Sequence, residues 1–334
     1  MSHLVCQDRF GRSINYLRLS VTDRCNLRCA YCSAERRDFI PHRDILRYEE
    51  GLELIAAARQ LGVDKIRLTG GEPFVRKDFF HFLVLILERF PDLDLRLTTN
   101  GTLIADEMRR LREIGLKRLN ISLDTLDRER YARLCGRDLF PRVWRAIENG
   151  VREGLRIKIN VVAMRGVNND ELGRFLDLAR EYPLDVRFIE FMPLSGNCSW
   201  TNAKVWSAAE ILSEARQYTR LTPVVESSAN SGPARMFELD SGQGRLGIIS
   251  PLTEHFCASC NRFRITSDGR LRTCLFSNRE YRLRPILRSD RLDRDQLLRV
   301  LCQAAKRKPM GHDILCRKTE GAGFGGRTMS AIGG

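Results

Sequence analysis

Cys25-Asn26-Leu27-Arg28-Cys29-Ala30-Tyr31-Cys32 is the stretch around which the rest of the chain can be read. Its three thiols are spaced C-x3-C-x2-C just after a β-rich run, Tyr16–Val21, so they share one loop and can converge on one soft metal centre. Thiolate favours iron–sulfur clusters, zinc and copper(I). Three local ligands would leave one corner of a cubane without protein, open to a cofactor or substrate. Zinc pairs are usually C-x2-C. The spacing alone still leaves open a zinc knuckle with a distant fourth ligand, or three reduced thiols.

Working outward, the chain from Asn15 to Met192 alternates β-rich runs with helical segments. Strands are expected at Tyr16–Val21, Lys65–Thr69, Leu93–Thr99, Arg118–Leu123, Arg156–Val162 and Val186–Phe191. Helices are clearest at Glu50–Gln60, Phe79–Arg89, Leu103–Ile114, Val143–Arg152 and Glu171–Arg180. This rhythm means βαβ units and a parallel sheet, either an open barrel or a doubly wound sheet. The strands alternate with period two, unlike the near-continuous apolar runs of a sheet covered on both faces. Leu17 and Leu19 lie opposite Arg18 and Ser20, and Ile66 and Leu68 lie opposite Arg67 and Thr69. Arg96, Thr98 and Asn100 share a face, as do Asn120, Ser122 and Asp124, and Arg156, Lys158 and Asn160. Buried charges need partners, so polar inner faces predict a wide cavity for a charged ligand, and the cationic residues make it an anion. The cysteine loop follows the first strand, at the end where α/β barrels place their chemistry.

Beyond Pro193 the rhythm stops, and Leu194–Gly247 reads as irregular apart from a helix near Ala208–Tyr218. A second thiol set follows, Cys257, Cys260 and Cys274. Asp268-Gly269 between Arg262–Thr266 and Arg270–Leu275 predicts a hairpin that folds Cys274 back toward Cys257 and Cys260. His255 could complete a Cys3His zinc site there, the alternative to a cluster held by three thiolates. A helix near Arg294–Ala305 and a glycine-rich tail ending Gly333-Gly334 close the chain.

The 334 residues are 43% apolar and 29% charged, an ordinary globular composition that argues against disorder. No apolar run approaches a membrane span, and Met1 to Arg12 are polar without a visible signal peptide, so a cytoplasmic, reducing compartment is expected. Eleven cysteines in that setting suggest metal or redox chemistry. Cys6, Cys135, Cys198, Cys302 and Cys316 lack ligand spacing and are expected as free thiols or packing residues. A net charge of +14, spread along the chain, fits RNA, a small polyanion or a cationic surface.

The cysteine loop, with Tyr31 before its last thiol, resembles the signature of radical S-adenosylmethionine (SAM) enzymes, and Gly70-Gly71-Glu72-Pro73 resembles their GGEP segment. With the second thiol set, its Arg262 and Arg264, and the Gly333-Gly334 end, nearly the whole chain resembles the GTP 3′,8-cyclase family, which opens molybdenum cofactor biosynthesis. The resemblance implies an α/β fold, an incomplete (β/α)6 barrel (residues 1–192) closed by a cluster-binding C-terminal region (193–334). It implies two [4Fe–4S] clusters, on Cys25, Cys29 and Cys32 and on Cys257, Cys260 and Cys274. SAM contacts would be Tyr31, Gly71, Ser122 and Met192, with Asn160 and Glu72 nearby. GTP contacts would be Arg18, Arg67, Thr98, Lys158, Arg262 and Arg264. Arg18, Arg262, Arg264, Gly333 and Gly334 would serve catalysis, in which a 5′-deoxyadenosyl radical takes hydrogen from C3′ of GTP and the resulting carbon radical attacks C8. The implied partners are GTP, a one-electron donor such as a flavodoxin or ferredoxin, and the cyclic pyranopterin monophosphate synthase that receives the product. Neither nucleic acid nor membrane is implied, and the chain would be a monomer or homodimer. One departure stands out: Ser33-Ala34-Glu35 follows Cys32 where the resemblance leads one to expect Met-Pro.

Overall fold

The computed structural model describes residues 6–32, 39–194, 200–225, 232–319 and 329–332. Cys198, Ser33-Ala34-Glu35 and Gly333-Gly334 lie outside these residues.

Six strands with helical crossovers come first: β1 (Tyr16–Ser20), β2 (Lys65–Thr69), β3 (Asp94–Thr99), β4 (Arg118–Ser122), β5 (Arg156–Ala163) and β6 (Asp185–Glu190). Each pairs in parallel with the next. Their apolar positions, such as Leu17, Leu19, Ile66, Leu68, Leu119 and Ile121, are buried against helices at Tyr48–Gln60, Phe79–Arg89, Met108–Glu113 and Phe140–Arg152. Leu54, Ile55, Phe82, Leu83, Val143 and Ile147 supply the other half of that layer. The period-two pattern thus sends one face into a dry core and leaves the other to build a cavity.

Two expectations need correction. Leu194–Gly247 is not irregular: β7 (Leu221–Val224) and β8 (Arg235–Leu239) lie within it, and β9 (Arg245–Ile249) starts at its end. These strands are short, and Pro223 hides one of them; β7 is an edge strand, where a missing N–H is tolerated. Nor is the parallel array confined to six strands. β9 pairs in parallel with β6, and β10 (Arg262–Ile265) pairs in parallel with β1. Antiparallel β8 and β7 extend one flank, while β11 (Arg270–Arg272) and β12 (Tyr281–Arg282) extend the other. Among the described residues the result is one open, twelve-stranded sheet, an incomplete barrel whose two flanks both come from the C-terminal part of the chain. The predicted β10–β11 hairpin is present, turning at Gly269 with φ 77°. Among the described residues no helix is long and apolar enough to cross a membrane.

Candidate active site

The polar face encloses a cavity of about 340 Å³, within the range of small-molecule sites. Cys25, Cys29 and Cys32 line it at the C-terminal end of β1. Their loop continues the β1–β2 pairing: the N–H groups of Val21, Gly71 and Glu72 donate to Thr69, Thr22 and Arg24 oxygens at 2.9, 2.8 and 2.8 Å. Glycine is required by this approach. A Cβ on Gly70 would lie 2.4 Å from the Thr22 oxygen, and one on Gly71 2.2 Å from that of Arg24. Gly70 also has φ 155°, a backbone that other residues rarely adopt.

Two buried carboxyls brace the loop. Glu72 accepts from the N–H groups of Phe74 (3.2 Å) and Asn100 (2.6 Å) and from the Thr99 hydroxyl (2.8 Å). Asn100 in turn donates to Asn26 at 2.8 Å, inside the thiol loop. Burial outweighs these bonds and raises the Glu72 carboxyl to about 7. Asp124 accepts from the Tyr31 hydroxyl and, at 2.8 Å, from the Val162 N–H, and burial raises it to about 6. Behind the loop stands a helix absent from the sequence reading, Arg128–Cys135, capped by Asp127 through the Arg130 N–H. Its last carbonyls, Leu134 and Cys135, accept from Ala30 and Arg28 at 2.9 Å each. A helix C-terminus thereby finds partners for its orphan carbonyls and anchors the thiol loop.

Deeper in the cavity lie Arg18, Arg67, Arg187, Arg262 and Arg264, all on its wall. Arg67 donates from Nε to the Tyr16 oxygen (2.5 Å) and from Nη1 to Thr98 (3.1 Å). Arg187, not anticipated from sequence, donates to Asn160 Oδ1 at 2.7 Å. It fits because the neighbouring β9 residue is Gly247, whose Cβ would lie 2.7 Å from Arg187 Cγ. Among the described residues the buried Nε atoms of Arg187 and Arg262 have no hydrogen-bond partner. Burial, then the Arg67 charge, lowers Arg187 to about 9; burial and Arg262 lower Arg264 to about 10. Tyr16 shows the reverse effect: burial would raise its phenol, but Arg67 and Arg18 draw it to about 7. A buried cluster of mutually repelling cations needs an anion to complete it.

Not every expected cation joins the cluster. Arg96 lines the cavity but is held by Asp94 at 2.6 Å, and Arg156 is exposed. Lys158 is not among the wall residues: its Nζ sits 2.7 Å from Asp185, which also binds Arg245. Strand alternation puts Lys158 on the inner face, but only tertiary packing supplies the carboxylate that captures it. Thr98, Ser122, Asn160 and Met192 do line the cavity.

Cys257, Cys260 and Cys274 close the opposite end. Arg262 is level with Tyr16 in the β1–β10 register, and Ser20 lies four residues further on, so a strand length of about 13 Å separates the two thiol ends. The Sγ atoms of Cys274 and Cys257 converge on Gly311, 2.8 and 3.6 Å from where its Cβ would be. Arg12 holds this corner from outside the sheet, donating to the Cys257 oxygen (2.6 Å) and the Pro309 oxygen (3.2 Å) while its Nε pairs with Asp8 at 2.5 Å. Cys260 is drawn down to about 7: burial opposes its ionisation, but Lys308 and Arg262 favour the thiolate. His255 stacks on His312 with ring centroids 3.6 Å apart.

This donor chemistry fits iron–sulfur clusters: sulfur-only sets, a glycine cradle at one and cationic support for the thiolate. Among the described residues no three His, Cys, Asp or Glu side chains gather to hold a single ion.

Residues 19–179 match the Radical SAM superfamily, and residues 184–314 match Molybdenum Cofactor Synthesis C. The GTP 3′,8-cyclase of Desulforamulus reducens is 40% identical over 330 residues, covering 98% of this chain and 99% of that one. The chain belongs to the GTP 3′,8-cyclase family. The Moorella thermoacetica enzyme of that name is 42% identical over 331 residues (98% and 100% covered), and that of Paracoccus denitrificans 40% over 336 (100% and 97%). Among solved structures, Streptococcus suis SuiB matches with TM-score 0.60 at 16% identity, over 85% of this chain and 68% of that one. It shares the fold. Membership of the family makes the chain an enzyme of the radical SAM type, and that type implies an iron–sulfur cluster and SAM.

Proposed function

We propose that this chain converts GTP to (8S)-3′,8-cyclo-7,8-dihydroguanosine 5′-triphosphate, the first step toward the molybdenum cofactor. The observation that carries the reading is the buried arginine cluster lying in one cavity between two sets of three thiols. Whole-length similarity to GTP 3′,8-cyclases supports it. In this reading the polypeptide divides by role: residues 1–192 hold Cys25, Cys29, Cys32 and SAM, and residues 193–334 hold a second [4Fe–4S] cluster on Cys257, Cys260 and Cys274. Bound together, a cluster and SAM supply the radical that removes one hydrogen atom from the ribose.

The chain's own residues then bind, orient and exclude. Tyr31, Gly71, Ser122 and Met192 form the SAM side of the cavity. Arg18, Arg67, Thr98, Arg262 and Arg264 take the nucleotide, their crowded guanidiniums relieved by its phosphates. Lys158 joins them by leaving Asp185, which keeps Arg245 as a partner. The deep barrel holds C3′ near the reacting carbon and keeps other hydrogen donors away, which is the protein's share of a cofactor-driven reaction. Gly333 and Gly334 complete the catalytic set in this proposal. A flavodoxin- or ferredoxin-like donor in the cytoplasm supplies the electron, and the cyclic pyranopterin monophosphate synthase takes the product from a monomeric or homodimeric enzyme.

The test is anaerobic incubation of reconstituted protein with SAM, a reductant and each nucleoside triphosphate in turn. GTP-dependent release of 5′-deoxyadenosine with loss of GTP is expected. Equal turnover with all four nucleotides, or none with GTP, would overturn the assignment.

A further inference from the structure

Lys308 is a fully buried ammonium, 1% exposed, on the wall of the cavity. Such a charge persists in a protein interior only when its donors and its charge are both answered. Its donors are accounted for. Nζ donates to the Arg262 oxygen at 2.8 Å, to the Thr273 oxygen, and to the Cys260 sulfur. An ammonium has three N–H groups, so the set is complete. Among the described residues no carboxylate pairs with it; the charged groups acting on it are the sulfurs of Cys260 and Cys274 and the guanidinium of Arg12. The nearby carboxylate, Asp8, is taken by Arg12. Arg262 and Thr273 flank the thiol ligands in sequence, so one side chain ties together β10, the segment after β11 and the helix leading into Lys308.

We infer that Lys308 is a positioning residue of the second thiol site, the buried countercharge that ties together the segments bearing Cys260 and Cys274 and raises the reduction potential of the cluster bound there. The inference rests on the reading that Cys257, Cys260 and Cys274 hold an iron–sulfur cluster. A hydrogen bond and a positive charge beside a ligand sulfur stabilise the more negative, reduced state of a cluster. Lys308 also acts through backbone contact on Arg262, the arginine that shares the cavity with the substrate, so cluster charge and substrate grip are set by one side chain.

The experiment compares reconstituted parent, Lys308→Gln and Lys308→Arg by iron content and by redox titration of each cluster followed by electron paramagnetic resonance. Parent protein should carry about eight irons per chain. Lys308→Gln keeps at most two of the three donors and removes the charge; at full iron its second cluster should titrate at a lower potential than the parent's, with the first cluster unmoved. An unchanged or higher second potential would overturn the inference. If Lys308→Gln instead retains only about four irons, Lys308→Arg decides: about eight irons in that variant supports the charge, and about four overturns it in favour of shape. Parent protein with about four irons would refute the second cluster itself, and the inference with it, before any variant is compared.

Discussion

Replacing Arg187 with methionine should stabilise the empty protein and weaken GTP binding at the same time. Arg187 is buried, donates one hydrogen bond to Asn160 and has a buried Nε without a partner. Burial and Arg67 hold its guanidinium at about 9. At about 1.4 kcal/mol for each tenfold loss of proton affinity, that is a burden of roughly 5 kcal/mol on the folded state at neutral pH. Methionine keeps most of the apolar stem and gives up the bond to Asn160, a loss of about 1–1.5 kcal/mol. The net gain is about 3.5 kcal/mol, enough to raise the melting temperature by several degrees. The sign with pH is also set. A base whose folded pKa is depressed weighs on the fold below that pKa and ceases to do so above it. The variant's advantage should therefore shrink as pH rises through about 9. GTP should bind roughly ten- to a hundredfold more weakly, the loss of one charge-assisted bond to phosphate. Anaerobic thermal melts of both proteins, with and without GTP, and a GTP titration read all three effects. A variant that melts below the parent at pH 7 would refute the stored repulsion, and an unchanged GTP affinity would remove Arg187 from the substrate site.

Other outcomes test other parts of the site. Cys25→Ala, Cys29→Ala or Cys32→Ala should each lose about four irons and all SAM cleavage, measured as 5′-deoxyadenosine. Gly71→Ala drives a methyl against the Arg24 oxygen and should destabilise the thiol loop by about 1–3 kcal/mol, seen as lower iron retention with helical content unchanged. Lys158→Ala leaves Asp185 paired with Arg245, so the melting temperature should move little; a GTP affinity reduced by about 1.5–3 kcal/mol with SAM affinity unchanged would match the proposed contact, and equal losses for both ligands would argue against it. Asp127→Ala removes the cap of the Arg128–Cys135 helix, at about 1 kcal/mol, and should speed amide exchange at Arg28 and Ala30, whose N–H groups that helix holds.

The local sequence determined which residues would face one another and which would not. In β1 to β5, side-chain alternation alone separates Leu17, Ile66 and Leu119 from Arg18, Arg67 and Asn120, because a strand has no other choice of face. The thiol spacing and Gly70-Gly71 were visible as motifs, but the packing of both glycines on the thiol loop was not, because it joins two strand ends. Tertiary structure decided everything that depends on a partner far along the chain. β9 looks like part of an irregular stretch and β10 like one arm of a hairpin until β6 and β1 offer them edges to bind. The Arg128–Cys135 helix looks like surface until its C-terminal carbonyls meet Arg28 and Ala30. Arg187 and Lys158 illustrate the limit most directly, since both are cations on neighbouring strands. Arg187 enters the cavity because Gly247, sixty residues later, leaves it room, whereas Lys158 is taken up by Asp185. Facing is a property of the strand, but partnering is a property of the fold, and burial makes the partner decide what a charge can do.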